Sequence, residues 1–137
     1  MTTATFVCWT TERRDPAALG ALLIARELHA RIHGHRCRVV DVEPMSDGSV
    51  RVTGYEVQEQ LWRPSTRRAQ TFRADERVTI HRPVYVGDRV AVATNGCRAT
   101  VELQSIKSPA AAPTGVLVDY GERRDVVQPD TLSLDDG

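Results

Sequence analysis

The sequence lacks several features that would place it in a specialised class of protein. Its three cysteines, Cys8, Cys37 and Cys97, are odd in number and widely spaced, which argues against a disulfide framework and a paired-cysteine zinc knuckle. No apolar stretch approaches membrane-spanning length, and the first residues do not resemble a signal peptide. We therefore expect a cytoplasmic protein with reduced thiols and no membrane partner.

Net charge is absent from the chain as a whole but not from its parts. The 18 basic and 18 acidic residues cancel, and Lys107 is the only lysine. Residues 60–100 nevertheless contain eight arginines against three acidic residues, a balance of +5, whereas residues 101–137 have a balance of −4. Arginine suits bidentate contacts to phosphate and carboxylate groups. This distribution indicates either neutralisation within the fold or one exposed electropositive face.

One segment is predicted to be a helix. Asp15 is a suitable N-cap, Pro16 suits the first helical position, and Gly34 suits the C-terminal end. Four apolar residues recur between them at helical spacing: Leu22, Ala25, Leu28 and Ile32. A single amphipathic helix needs a sheet to bury its apolar stripe. We therefore predict the α+β class, with one amphipathic helix packed on a curved antiparallel sheet.

The rest of the chain has the patterns of strands and turns. The clearest half-buried strand is predicted from Phe72 to Ile80, where apolar and polar residues alternate. At Gly54 the apolar positions change from even to odd numbers and continue at Tyr55, which predicts a β-bulge. No internal repeat is present in the sequence.

Residues 86–134 have the pattern of a small barrel. The segment VGDRVAVATNGCRATVELQSI is followed, after a loop, by GVLVDYGERRDVVQPDTLSL. This pattern resembles that of Tudor domains, in which a glycine and acidic turn, a hairpin and a strand ending in Asp-Tyr-Gly precede a final valine strand. The resemblance implies an SH3-like β-barrel. We therefore divide the chain into a helix-on-sheet region, residues 1–82, and a barrel, residues 83–137, with one continuous domain as the alternative.

The same resemblance implies a binding role for the barrel. Tudor domains that read methylated side chains surround the cation with aromatic rings. Tyr120 matches such a cage, whereas residues 97–99, Cys-Arg-Ala, stand where the family has aromatic residues. What the resemblance implies is therefore a barrel that binds a protein or nucleic acid, rather than a reader of methylated side chains.

An arginine-rich segment is the principal candidate binding site. Arginines contact phosphates, and interleaved aromatic residues can stack on bases. Together with Tyr120 of the barrel, the predicted ligand-binding residues are Trp62, Arg63, Arg67, Arg68, Phe72, Arg73 and Arg77. The alternative interpretation is a solvated loop whose two aromatic residues, Trp62 and Phe72, lie in the core.

Histidines and a cysteine cluster at the end of the predicted helix. His29 and His33 are four residues apart, the spacing at which two helical side chains share a face, and His35 and Cys37 follow in the turn. These four residues are candidate zinc ligands. Three nearby arginines would repel a cation, however, and histidines near a helix C-terminus also stabilise the helix dipole. We therefore predict no metal site and no cofactor.

An enzyme is a further interpretation. The segment VTIHRPVYVGDRVAV, residues 78–92, is similar to a passage of hot-dog thioesterases and dehydratases that leads into a late strand. The resemblance implies a thioester pocket near His81 and Asp88, in a dimer. The sequence contains no nucleophile elbow, phosphate-binding loop or dinucleotide-binding fingerprint.

The sequence as a whole favours a non-enzymatic binding protein. We predict that it contacts nucleic acid, or a complex that contains nucleic acid, through Trp62 and the arginines at positions 63, 67, 68 and 73. One alternative is a protein–protein interaction module that acts through the barrel. The other is an acyl-thioester hydrolase or dehydratase of the hot-dog type. A homo-oligomer is compatible with each of these functions.

Overall fold

A computed structural model describes residues 5–57, 62, 64–104 and 115–135. The chain packs into two compact units. The central unit is Glu12–Arg82, and the terminal unit consists of Met1–Thr11 and Pro83–Gly137.

The described residues form thirteen strands and one α-helix. The strands are β1 (Phe6–Trp9), β2 (Glu12–Arg14), β3 (His29–Ile32), β4 (His35–Pro44), β5 (Val50–Glu56), β6 (Arg67–Phe72), β7 (Val78–His81), β8 (Pro83–Tyr85), β9 (Arg89–Val92), β10 (Arg98–Gln104), β11 (Val116–Asp119), β12 (Arg124–Val127) and β13 (Leu132–Leu134). The helix α1 is Leu19–Ala25, and two 3-10 turns are Pro16–Ala18 and Pro129–Thr131. Strands hold 54% and helices 11% of the described residues.

The central unit is organised around a six-stranded antiparallel sheet, with the strand order β2-β7-β3-β4-β5-β6. Successive side chains of a strand point to opposite faces, so each strand contributes every second residue to the core. The buried core consists of Leu19, Leu22, Leu28, Ala30, Ile32, Cys37, Val39, Val50, Val52, Phe72, Val78 and Ile80. The two leucines at positions 19 and 22 belong to α1, which therefore packs against this face of the sheet.

The predicted long helix from Asp15 to Gly34 is wrong. The helical segment ends at Ala25, and α1 has seven residues. Asp15 does precede the first 3-10 turn, but its side chain accepts no capping hydrogen bond there. Only two side chains of α1 are buried, and Ile24 is 89% exposed. The predicted α+β class, with one helix as the main layer on a sheet, is therefore corrected to a fold that is mostly sheet.

The segment that follows α1 is a β-hairpin, not a helix. Leu28, Ala30 and Ile32 are all buried. Leu28 and Ile32, which suggested helical spacing, therefore also satisfy the two-residue period of a strand. His33 and Gly34 have φ angles of 50° and 80° and connect β3 directly to β4. Two consecutive residues with positive φ are what a tight two-residue hairpin requires. This hairpin accounts for the failure of the helical pattern beyond residue 25.

The predicted strand from Phe72 to Ile80 is in fact two strands joined by a turn. β6 ends at Phe72, and β7 begins at Val78. Between them, the backbone N–H of Glu76 donates to the carbonyl of Arg73 at 3.0 Å, and the Arg73 N–H donates to the Glu76 carboxylate at 3.2 Å. Apolar and polar residues still alternate on either side of this turn, which is why the pattern suggests one uninterrupted strand.

The terminal unit contains two open antiparallel sheets. One has two strands, β1 and β8, and the other has five strands in the order β12-β11-β10-β9-β13. Together they enclose one buried core: Val7, Cys8, Val84, Val90, Val92, Ala99, Val101, Val116, Val118, Leu132 and Leu134. The predicted SH3-like barrel is therefore wrong in its closure, because β12 and β13 are the edges of the five-stranded sheet and do not pair among the described residues. Alternating valines indicate which face is buried but not whether the edge strands meet.

A buried ion pair connects β2 with the residue that follows β7. The Arg82 guanidinium donates two hydrogen bonds to the Glu12 carboxylate, each 2.8 Å long, and both side chains are nearly inaccessible to solvent. Arg14 donates a further hydrogen bond of 2.7 Å to the same carboxylate. Charges at this depth are tolerated because each is matched by an opposite charge and by directed hydrogen bonds.

Two isoleucines test the assignment of the core. We expect Ile32→Ala to lower the free energy of unfolding by about 2–5 kcal/mol, because it removes buried methylene groups and leaves a cavity. The matched change Ile24→Ala, at the exposed position of α1, should change it by less than about 0.5 kcal/mol. Urea denaturation measures both values. Equal losses for the two variants would contradict the core described above.

The buried ion pair gives a second test. Arg82→Met should lower the free energy of unfolding by about 3–5 kcal/mol, since it leaves the Glu12 carboxylate buried without its main partner. The exposed pair between Arg77 and Asp15 serves as the control, and Arg77→Met should cost less than about 1 kcal/mol. A small loss for Arg82→Met would show that Glu12 is solvated in the folded chain.

Candidate functional site

The face of the central sheet opposite the core carries a group of arginines. Ala30 and Ile32 of β3 point into the core, so Arg31 between them points to the other face. In β4, Cys37 is buried and its two neighbours, Arg36 and Arg38, point outwards in the same way. The part of the hairpin next to its turn thus places apolar side chains on one face and arginines on the opposite face. Asp41 and Glu43, farther along β4, lie on that opposite face as well.

The strand register brings these arginines next to one another. Arg31 lies directly opposite Arg36 in the β3–β4 pair, and Tyr55 of β5 lies opposite both Arg38 and Arg67. At the other end of the sheet, Arg13 pairs with Thr79 and shares the same face. We call this surface the basic face and define it by six residues: Arg13, Arg31, Arg36, Arg38, Tyr55 and Arg67. All are exposed except Arg36, which is partly buried, and Tyr55 is 37% exposed.

Gly54 and a bulge in β4 position Tyr55. A Cβ atom at residue 54 would lie 2.6 Å from the carbonyl oxygen of Arg38, so only glycine allows β4 and β5 to approach this closely. The register shifts between Val39 and Asp41, which places the extra residue in β4. The predicted bulge at Gly54 therefore lies on the partner strand. The alternation in β5 continues through the glycine, and Tyr55 points away from the core.

The electrostatics of the basic face are unfavourable to the folded chain itself. Like charges directly opposite each other in a sheet are destabilising, and Arg31 and Arg36 form such a pair. Burial and the neighbouring Arg31 charge lower the pKa of Arg36, and the nearby Glu27 carboxylate opposes this shift. Arg13, Arg31, Arg38 and Arg67 form no ion pair with any residue that the structure describes. These four arginines therefore keep positive charges that no described acidic side chain pairs with.

His29 lies beside this surface but is buried. Arg36 Nε donates to His29 Nδ1 at 3.1 Å, and His29 Nε2 is 3.7 Å from a carboxylate oxygen of Glu27. Burial, together with the smaller effects of the positive charges of Arg36, His81 and Arg38, lowers the pKa of His29 from 6.5 to about 4. His29 is therefore neutral at neutral pH and accepts a hydrogen bond from Arg36 instead of adding a charge.

Of the residues predicted from the arginine-rich segment, one lies on the basic face. Arg67 is exposed on β6, and Trp62 is 79% exposed in the connection between β5 and β6. Arg63 lies outside the described residues. Phe72 is 5% exposed and packs in the core of the central unit, so its ring is not accessible for stacking on a base.

The remaining predicted arginines are paired with acidic side chains. Their nitrogen–oxygen distances are 3.1–3.5 Å in four ion pairs: Arg68 with Glu56, Arg73 with Asp75, Arg73 with Glu76, and Arg77 with Asp15. In two of these four pairs, Arg73–Asp75 and Arg77–Asp15, both side chains are largely exposed, and such a pair contributes about 0–1 kcal/mol. Arg68, Arg73 and Arg77 thus each have an acidic partner, whereas Arg13, Arg31, Arg38 and Arg67 have none among the described residues.

Tyr120 belongs to a different surface, in the terminal unit. It lines a cleft of about 710 Å³ together with Arg89, Cys97, Arg98, Glu122 and Arg123. Asn95 Nδ2 donates to the Tyr120 hydroxyl at 3.0 Å, and the Arg123 guanidinium lies 5.2 Å from the ring centroid. Because Tyr120 is the only aromatic residue that lines this cleft, the described residues do not form an aromatic cage there.

The four candidate zinc ligands do not converge. His29 is buried in β3, His33 lies in the hairpin turn, and Cys37 is in the core of β4. His35 Nδ1 contacts Glu56 at 2.8 Å. His29 and His33 do not share a helix face because the segment is a strand and a turn. No group of three or more potential ligands in the described part of the chain is arranged to hold a metal ion.

The two residues suggested by the hot-dog resemblance have structural contacts. His81 is buried at the end of β7, directly opposite His29. Asp88 accepts a hydrogen bond of 2.8 Å from the backbone N–H of Tyr85, in the turn between β8 and β9. These contacts give no separate support for the thioester pocket that the resemblance implies.

No protein-family model, curated protein or solved structure matches this chain. The resemblances to Tudor domains and to hot-dog enzymes therefore stay predictions. Within the described ranges, the helices are all too short or too polar to cross a membrane. The functional assignment rests on the geometry of the basic face.

The lowered pKa of His29 predicts a pH dependence of stability. As the pH falls from about 6.5 towards about 4, the unfolded chain takes up a proton at His29 that the folded chain does not. The free energy of unfolding should therefore decrease across this window. We expect His29→Gln to flatten this decrease. Thermal melts at several pH values measure the slope, and an unchanged slope in His29→Gln would contradict the prediction.

Proposed function

We propose that this protein binds nucleic acid and that the basic face is its contact surface. The observation that carries the proposal is the exposed set of arginines on one side of the sheet, four of which have no acidic partner among the described residues. The pair Arg31 and Arg36 keeps two like charges opposite each other, which costs the fold stability. A phosphate between them would turn this repulsion into attraction.

The extent of the basic face favours a polyanion over a small anion. Arg13 belongs to one edge strand of the sheet and Arg67 to the other, with four strands between them. At about 4.8 Å per strand, the two edges are separated by roughly 24 Å along the sheet. A single phosphate or carboxylate would contact only one or two of these arginines. A nucleic-acid backbone presents phosphates repeatedly over such a distance.

The sequence-based prediction named a different set of arginines for the same function. Of that set, the proposed surface retains Arg67 alone. It replaces the arginines that are paired with acidic residues by Arg13, Arg31, Arg36 and Arg38. We also propose that the protein acts in the cytoplasm. The free thiols of Cys8, Cys37 and Cys97 support this setting, since they remain reduced there.

Salt-dependent binding tests the proposal. Fluorescence anisotropy with labelled oligonucleotides should show affinity that falls linearly in a plot of log K against log salt between roughly 50 and 200 mM. Arg31→Ala, Arg38→Ala and Arg67→Ala should each weaken binding to all sequences and reduce the magnitude of the salt slope by about 1.

The control for this experiment is Arg73→Ala, which removes the same charge from an exposed arginine that is already paired with two acidic residues. We expect its affinity and salt slope to remain close to those of the unmodified chain. The proposal fails if no oligonucleotide binds at low salt. It also fails if Arg73→Ala weakens binding as much as the three variants of the basic face.

A further inference from the structure

The basic face also has features that select one form of nucleic acid. We infer that it binds single-stranded nucleic acid, with a base stacked on Tyr55 and phosphates held by Arg38 and Arg67. This inference rests on the proposed function and adds the class of ligand. It depends on where the tyrosine stands among the arginines and on the shape of the surface.

Tyr55 occupies the position between two arginines. Arg38 of β4 and Arg67 of β6 are its direct register partners on either side. Directly opposite residues of an antiparallel pair have Cβ atoms about 5 Å apart, so the Arg38 and Arg67 side chains leave the sheet on either side of Tyr55. An aromatic ring stacks on any base, and neighbouring arginines contact the phosphates on each side of that base. A nucleotide of a single strand presents both groups together, whereas a duplex keeps its bases stacked inside.

The outward position of Tyr55 is a feature that packing does not explain. The core positions of β5 are Val50 and Val52, which are almost fully buried, whereas the tyrosine ring remains partly exposed on the opposite face. Gly54 and the bulge in β4 hold the backbone that presents it. An aromatic side chain fixed on a charged surface, in a chain with only seven aromatic residues, is what a stacking platform requires.

The shape of the basic face argues against reading a duplex. The major groove of DNA is about 12 Å wide and admits a helix or a two-stranded ribbon. The basic face extends across six strands, about 24 Å, and is therefore too broad to enter the groove. The helix α1 has seven residues, LGALLIA, none of which is charged. Neither element can place arginines against the base edges of an intact double helix.

Trp62 is a second exposed aromatic residue that could stack on a base. It lies in the connection between β5 and β6, the two strands that carry Tyr55 and Arg67, and its side chain is 79% exposed. A large exposed ring in this connection offers a second surface for a base. We therefore expect Trp62 to contribute to the binding of single strands longer than the segment held at Tyr55.

The test compares single and double strands of matched sequence. Anisotropy titrations would use oligo-dT, oligo-rU and a duplex of mixed sequence, all at the same low salt. We expect both single strands to bind at least about 10-fold more tightly than the duplex. Tyr55→Leu should weaken single-strand binding by about 10-fold to 100-fold, because one stacked base is lost. Tyr55→Phe should retain the affinity, since stacking needs the ring and not the hydroxyl group.

Phe6→Leu is the matched control, because it removes an exposed aromatic ring from the terminal unit. It should leave the affinity for single strands unchanged.

The inference is overturned if the duplex binds as tightly as the single strands, or if Tyr55→Leu binds like Tyr55→Phe. In both cases the proposal of nucleic-acid binding itself stands. If no oligonucleotide binds at low salt, the proposed function fails as well. Circular dichroism of each variant separates loss of folding from loss of binding. If Tyr55→Leu is unfolded, a loss of single-strand affinity in folded Tyr55→Phe still overturns the inference.

Discussion

The hairpin of β3 and β4 imposes the constraint on which the basic face depends. The positive φ angles of His33 and Gly34 set a two-residue turn, and this turn fixes which residues of the two strands stand opposite each other. A slip of one residue in either strand would move every side chain of that strand to the other face. With the observed register, Ile32 and Cys37 enter the core, and Arg31 faces Arg36 on the outside.

The core of the central unit stabilises a surface that is unfavourable by itself. Each fully buried aliphatic side chain contributes roughly 1.5–3 kcal/mol, whereas a pair of like charges across two strands costs about 0.2–1 kcal/mol. The sheet can therefore hold several arginines side by side without an acidic partner. The buried histidine adds no charge to this surface, because its lowered pKa keeps His29 neutral at neutral pH. Where charge is buried, as at Arg82, the fold supplies a carboxylate.

The sequence predicts the content of strands better than their arrangement, and it predicts a basic surface but not its residues. Leu28 and Ile32 fit both a helical and a two-residue period, so the sequence was interpreted as a helix. The segment is a hairpin, in which the arginines of β3 and β4 alternate with core residues and lie on the outer face. The pair His33-Gly34 could have indicated this hairpin from the sequence, since it marks a turn between two strands. The ion pairs of Arg73 with Asp75 and Glu76 could not be predicted by counting charges in the sequence. They depend on a turn within the segment that was predicted to be one strand.

The most direct test of the account is to map the contact surface by nuclear magnetic resonance. A single-stranded oligonucleotide titrated into the isotopically labelled chain should shift the amide signals of Arg31, Arg38, Tyr55 and Arg67, which lie on adjacent strands of one sheet. The signals of Arg73 and of the Tyr120 cleft should change little. Shifts confined to Arg73 and its neighbours, or to the cleft, would contradict the claim that the basic face is the binding surface.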